Sequence, residues 1–131
     1  MKQITLLALV LFAALSLVAC GGNAPAASTG AQTAPKAAGD ADKGKSKYEG
    51  TCSACHGPDA KGLTGLGKDL TSSTFAKGLS DADLIAFVKK GRPASDPANT
   101  TKVDMPPKGG NPALTDQDLA DVVTYVRSLQ K

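Results

Sequence analysis

Three observations on the sequence predict a small all-α fold of three main helices joined by loops. Three segments within residues 40–131 begin behind an Asp, Ser or Thr suited to cap a helix, and the second and third place apolar side chains at helical spacing. The chain between them is rich in Gly and Pro and holds no convincing alternating strand. Finally, the 131 residues include no tryptophan, two tyrosines and three phenylalanines. That is a poor aromatic stock for a domain of about 90 residues, a size at which folding is already marginal. An apolar group enclosed by helices and loops would supply the missing bulk. At 41% hydrophobic and 21% charged, the composition is that of a globular fold rather than a disordered chain.

Residues 1–19 come first. They hold one lysine, Lys2, and then an uncharged run dominated by Leu, Ala, Val, Ile and Phe, the pattern of an export signal. As a membrane span the run is short, since spanning takes about 20 apolar residues, and an uncleaved anchor is the alternative. Leu17-Val18-Ala19-Cys20-Gly21 resembles the lipobox of bacterial lipoproteins, in which a small residue precedes a cysteine that becomes the lipid-modified N-terminus. The resemblance implies a thioether-linked diacylglycerol on Cys20 and anchoring by several acyl chains. Ordinary cleavage near Ala19, leaving a spare thiol, is the competing reading. Three cysteines are an odd number for an exported chain, and two used elsewhere plus one for lipid leaves none free.

Residues 20–39 follow Cys20 with Ala, Gly, Pro, Ser and Thr, one charge at Lys36, and no large apolar residue. Such a stretch cannot bury enough surface to offset its chain entropy and reads as a flexible tether. As a random coil it spans roughly 25 Å, and fully stretched roughly 65 Å.

Residues 40–131 form the folded domain. Its first helix starts at Asp40 or Asp42 and runs through Lys47 and Tyr48 into the run that begins at Cys52. The second is capped by Ser80, carries Asp81 and Asp83 in its first turn, presents Leu84, Ile85, Phe87 and Val88, and ends with Lys89, Lys90 and the stop residue Gly91. The third begins at Thr115, with Asp116 and Asp118 behind it, and places Leu119, Val122, Val123, Val126 and Leu129 at helical spacing.

Between the first two helices lies Cys52-Ser53-Ala54-Cys55-His56, the C-x-x-C-H attachment signature of c-type haem. Two thiols three residues apart can each add across a porphyrin vinyl group, and the next residue then aims its imidazole at the iron. His56 is the only histidine in the chain. A redox-active C-x-x-C pair and half of a zinc site are the alternatives. Zinc would need more ligands, and Cys20 is the only other Cys or His; a thioredoxin-like pair would want a βαβ setting.

A sixth iron ligand follows by elimination. Once Met1 leaves with the signal, Met105 is the remaining methionine. It precedes Pro106 and Pro107, and proline holds the residue before it in extended backbone. A soft thioether presented on such a stiff loop suits haem iron. In a protein without haem, the same residue would read as loop packing.

On these residues the domain resembles a class I cytochrome c. The resemblance implies the small cytochrome c fold, three main helices with loops wrapped around one covalently attached haem c, with Cys52 and Cys55 as thioether sites, His56 proximal and Met105 distal. It also matches Gly44 and Tyr48 to a glycine and an aromatic of the N-terminal helix, and Tyr125 to an aromatic of the C-terminal helix that packs across that glycine. One departure stands out. Where the family commonly has Gly-Pro-x-Leu, with the proline carbonyl accepting a hydrogen bond from the proximal imidazole, this chain has Gly67-Lys68-Asp69-Leu70. A lysine carbonyl can accept the same bond, but the fixed φ of proline is lost. The loop from Arg92 to Asp104 has no assigned role.

The function expected is one-electron transfer by a His/Met-ligated haem on the outer side of a bacterial membrane. Either the chain is a tethered shuttle between redox protein partners, or it is a fixed haem subunit of a larger oxidoreductase such as a terminal oxidase, a nitric oxide reductase or an alternative complex III. A haem peroxidase or gas sensor is a third reading, which sole methionine ligation counts against. No catalytic constellation or small-molecule substrate is indicated, and the chain reads as an electron-transfer protein rather than an enzyme. The formal charge is +3, with no basic block or aromatic-basic alternation, so nucleic acid is not an expected partner. Lys61, Lys68, Lys77, Lys102 and Lys108 fall in loops expected around the haem edge, where they either steer an acidic partner or form an ordinary solvated surface.

Overall fold

The structure is a computed structural model that describes residues 39–131, so the export signal, Cys20 and the tether as far as residue 38 lie outside the described residues. Five α-helices follow one another: α1 (Ala41–Thr51), α2 (Ser53–His56), α3 (Thr74–Gly78), α4 (Asp81–Lys90) and α5 (Asp116–Leu129), with a 3-10 helix at Pro107–Gly110 before the last. Among the described residues there is no strand, only isolated bridges between Leu63 and Gly67 and between Arg92 and Met105. The expected all-α fold is present. Its three long helices are α1, α4 and α5; α2 continues α1 into the Cys52–His56 run as expected, while α3 and the 3-10 helix are additions that the sequence pattern does not show.

Each long helix begins at the residue whose side chain can satisfy its first free amides. Asp40 accepts from the backbone N–H groups of Asp42 and Lys43 at the start of α1. Ser80 accepts from Asp83 N–H at the start of α4, and Gly91 ends that helix at φ 72°. Thr115 and Asp118 form a reciprocal capping box at the start of α5. The short α3 is capped in the same way, Ser73 accepting from Ala76 N–H.

Helix α1 packs across α5, and glycine lets it. A Cβ at Gly44 would overlap the Asp121 carbonyl and sit 3.0 Å from Tyr125 Cβ. The ring of Tyr48, one turn on, lies 5.4 Å from that of Tyr125 at 55°. Tyr48 is fully buried with Ala60, Val122 and Val126, while Ala76, Leu84 and Val123 form a second cluster between α3, α4 and α5. Burying a side chain of Leu or Val size contributes about 1.5–3 kcal/mol, so the α5 stripe from Leu119 to Val126 is the main apolar contribution of the C-terminal helix.

Polar side chains lock the same contacts. Buried Asp121 accepts from Asp40 N–H and from Gln117 Nε2, both at 2.8 Å, which ties the start of α1 to α5. Lys47 Nζ lies 2.9 Å from Asp118 Oδ1. At the other end of α5, Arg127 donates to the carbonyls of Ala76 and Leu79 at 2.8 and 2.6 Å and to Asp81 Oδ1 at 3.0 Å, joining α5 to the end of α3 and the start of α4.

Candidate haem site

Cys52 closes α1 and opens α2, so the two thiols and the imidazole share one continuous helical stretch. Tyr48 fixes where it ends: its buried hydroxyl donates to the Gly57 carbonyl at 2.8 Å. Burial pushes this phenol above its ordinary range. Burial, with a smaller contribution from Cys55, also pushes the Cys52 thiol up to about 11. Cys52 and Cys55 are not joined in a disulfide.

After His56 the chain folds back beneath α2. Gly62 N–H donates to the His56 carbonyl at 2.8 Å, and Leu70 N–H to that of Ala60 at 2.7 Å. Gly67 packs so closely that a Cβ there would overlap the Cys55 carbonyl. The next residue, Lys68, turns its carbonyl to His56 Nδ1 at 2.8 Å. A carbonyl can only accept, so Nδ1 carries the ring proton and the Nε2 lone pair is left for a metal.

The lysine at position 68 therefore makes the contact that proline makes in the family pattern, and other residues replace the rigidity of proline. Gly67 abuts α2 on one side. On the other, the Asp69 carboxylate accepts from the Thr71 and Ser72 amides at 2.7 and 3.2 Å and from both hydroxyls at 2.7 Å. Those bonds, the Ser72 and Thr71 hydroxyls foremost, hold the Asp69 carboxyl down to about 2.

Met105 comes from the other side of the sequence. Its backbone pairs with Arg92 in both directions, Arg92 N–H to the Met105 carbonyl at 2.8 Å and Met105 N–H to the Arg92 carbonyl at 2.9 Å. Pro106, extended at φ −69° and ψ 157°, leads on into the 3-10 helix. Arg92 stacks its guanidinium 4.4 Å above the centre of the Phe75 ring and 4.7 Å from that of Phe87.

Cys52, Cys55, His56 and Met105 all line one cavity of about 650 Å³. Its remaining surface is mostly apolar and includes Leu70, Phe75, Leu84, Phe87, Val122 and Val126. The volume falls within the roughly 300–1,000 Å³ of small-molecule and cofactor sites. The donor set fits haem: two thiols, an imidazole with a free Nε2 and a thioether on an apolar chamber. Among the described residues no group of three or more His, Cys, Asp or Glu gathers as a metal cluster. Cys20 lies outside the described residues.

Two features at the site were not anticipated. The Asp69 turn is one, although an Asp followed by Thr and Ser is a recognisable turn signal. The other is Asn99, buried in the loop before Met105, which the sequence does not distinguish from any other loop asparagine. Of the five lysines expected in loops at the haem edge, Lys68 lines the cavity, Lys77 stands instead in α3 with its ammonium donating to the Lys131 carbonyl at 2.7 Å, and Lys108 stands in the 3-10 helix with its ammonium donating to the carbonyls of Pro112 and Leu114 at 3.2 and 2.7 Å.

Comparison with known proteins agrees with this chemistry. The family described as cytochrome c oxidase, cbb3-type, subunit III matches residues 39–126. Cytochrome c-555 of Prosthecochloris aestuarii is 32% identical over 87 residues, 66% of this chain and 85% of that one. Cytochrome c-554(548) of Halomonas halodenitrificans is 36% identical over 99 residues, 70% of this chain and 98% of that one. The cbb3-type cytochrome c oxidase subunit CcoP of Rhodobacter capsulatus is 32% identical over 90 residues, 68% of this chain but only 29% of its own length. No solved structure matches. The chain belongs to the c-type cytochromes, in the family described as cytochrome c oxidase, cbb3-type, subunit III, and is a monohaem protein that carries electrons on covalently bound haem c.

Proposed function

We propose that Cys52 and Cys55 hold the haem by thioether bonds, that His56 and Met105 are its axial ligands, and that the chain shuttles single electrons between redox proteins at the outer face of a bacterial membrane. The observation that carries this reading is the meeting of all four side chains on one apolar cavity, with His56 Nδ1 engaged by the Lys68 carbonyl. When bound, the haem supplies a one-electron iron couple, and methionine ligation raises its potential. The chain's own part is to hold the imidazole in one tautomer, present the thioether and keep water from the chamber with apolar walls. No residue is assigned to transform a substrate, so the chain is read as an electron carrier and not an enzyme.

Leu66 and Phe75 are both exposed and both line the cavity. They mark the edge where a partner would approach, with Lys68 beside them. Cys20 is the lipid attachment site in this reading, and residues 21–38 the tether, since Gly39 already packs against α5. Among the described residues no helix is long and apolar enough to cross a membrane.

The relation to CcoP supports a second reading, a fixed haem subunit of a membrane oxidoreductase. Two measurements test the proposal. Acid-acetone extraction of the protein matured in a cytochrome c assembly host should leave the haem on the polypeptide; quantitative loss would contradict thioether attachment. Gentle detergent solubilisation of the native membrane, with sizing by haem absorbance, should release a small haem protein. Stoichiometric co-elution with other metal-bearing subunits through moderate salt would replace the shuttle by the subunit.

A further inference from the structure

The loop between Arg92 and Met105 is joined at its ends by the backbone bridge, but between them it has no helix or strand. Its shape has to come from side chains, and one stands at its centre. Asn99 is 6% exposed. Its Nδ2 donates to the Val103 carbonyl at 2.7 Å and the Pro93 carbonyl at 3.1 Å, and faces that of Arg92 at 3.5 Å. Its Oδ1 accepts from Thr101 Oγ1 at 2.9 Å and from Lys102 N–H at 3.1 Å. Its own N–H donates to the Asp96 carbonyl at 2.8 Å.

One amide orientation alone fits this setting. Turned over, the side chain would face carbonyls with its oxygen and donors with its NH2 group. An aspartate in its place would set negative oxygen against three carbonyls. Asn99 thus gathers both strands of the loop, Arg92 and Pro93 on one side and Val103 on the other, immediately before the paired residues Arg92 and Met105. It also binds the amide of Lys102, which is held in the left-handed region at φ 57°, a conformation unfavourable for a side chain of that kind. At the rim, Asp104 accepts from Ala94 N–H and Asp96 from Ala98 N–H, but these residues contact water that competes for the same bonds. Asn99, Thr101, Val103 and Met105 all line the cavity.

We propose that Asn99 is a positioning residue for Met105, setting the loop so that the thioether is held in the chamber and does not swing out to water. This rests on the reading of Met105 as an iron ligand. A neutral thioether is a displaceable ligand for haem iron, so the ligated population, read by charge transfer in the ferric protein and by carbon monoxide in the ferrous one, depends on how well its loop is ordered.

The test uses the full haem-loaded chain and three variants: Asn99→Ala, Thr101→Val, which removes one hydroxyl that orients the Asn99 amide, and Arg127→Ala, which loosens α5 far from the loop in sequence. Near-infrared sulfur-to-iron charge-transfer absorption and carbon monoxide binding are read well below the thermal midpoint, which is measured as well. Asn99→Ala should lose charge-transfer intensity and bind carbon monoxide at least about tenfold faster, the scale expected from losing buried hydrogen bonds. Thr101→Val should move both readouts the same way by less. Arg127→Ala should lower the midpoint and move neither. A wild-type value of both readouts in Asn99→Ala, with a lowered midpoint, would make Asn99 merely structural and overturn the inference. If Asn99→Ala does not fold, unchanged readouts in Thr101→Val overturn it instead. A wild-type protein lacking the band and binding carbon monoxide rapidly would remove Met105 from the iron, and the inference with it.

Discussion

The part of the cavity that carries Cys52, Cys55 and His56 and the part that carries Met105 are held by different kinds of interaction. The first rests on helix packing: α1 against α5 through Gly44, the buried Tyr48 ring and hydroxyl, and a return loop pressed onto α2. The second is an irregular loop whose order comes from a backbone bridge and from the polar bonds of Asn99. Apolar packing contributes in proportion to buried area and is insensitive to small displacements of water, whereas each polar bond contributes only about 0.5–1.5 kcal/mol net because water offers an equivalent partner. The difference puts Cys52, Cys55 and His56 on the stiff side and Met105, the proposed displaceable ligand, on the adjustable side.

The sharpest way to break that comparison is to spoil the stiff side. Gly67→Ala places a Cβ on the Cys55 carbonyl, against the Cys55–His56 peptide backbone and no flexible side chain that could give way. Overpacking of this kind costs roughly 1–3 kcal/mol or more, and about 1 kcal/mol moves the midpoint of a domain this size by roughly 4–8 °C. A fall of about 10 °C in the thermal midpoint of the haem-loaded protein is therefore expected. A midpoint within about 2 °C of wild type would mean that the return loop is as yielding as the methionine loop.

A smaller effect comes from acid. The Asp69 carboxyl sits at about 2 in the folded chain, below the usual carboxylate range, because the Ser72 and Thr71 hydroxyls and amides donate to it. A lowered folded pKa contributes stability that is fully present above the unfolded value and is lost as pH falls through the folded one. Melting midpoints should therefore decline from about pH 5 toward about pH 2. Asp69→Asn should be less stable at neutral pH and lose less over the same interval, though Asp118, also held low by Lys47 and Thr115, keeps part of the slope. Parallel curves for wild type and Asp69→Asn would show that the turn beside His56 takes no strength from its charge.

The same division explains what the sequence reveals and what it hides. Helices α1, α4 and α5 are legible because capping residues and apolar spacing are local signals, and Asp40, Ser80, Gly91 and Thr115 stand where those signals place them. The motif at Cys52, Cys55 and His56 is legible because its chemistry is carried by adjacent residues. Helix α3 is hidden, since five residues make little more than one turn and show no periodicity. Arg127 is hidden for another reason: its partners Ala76, Leu79 and Asp81 lie 46 to 51 positions away. Asn99 is hidden because most of its partners are backbone carbonyls and amides, which nearly every residue has. Lys68 stands between these cases, for the sequence shows that proline is missing, while Gly67 and Asp69 reveal their compensating roles only once the loop is folded.

The most direct test of the account is the Met105→Ala variant of the mature haem protein, compared with wild type by near-infrared absorption, carbon monoxide binding and redox titration. With Met105 on the iron, wild type should show sulfur-to-iron charge transfer and resist carbon monoxide, and the variant should lose the band, bind the gas readily and titrate at a lower potential. Identical spectra, gas binding and potential in the two proteins would contradict the ligand assignment and the division between a stiff and an adjustable side that rests on it.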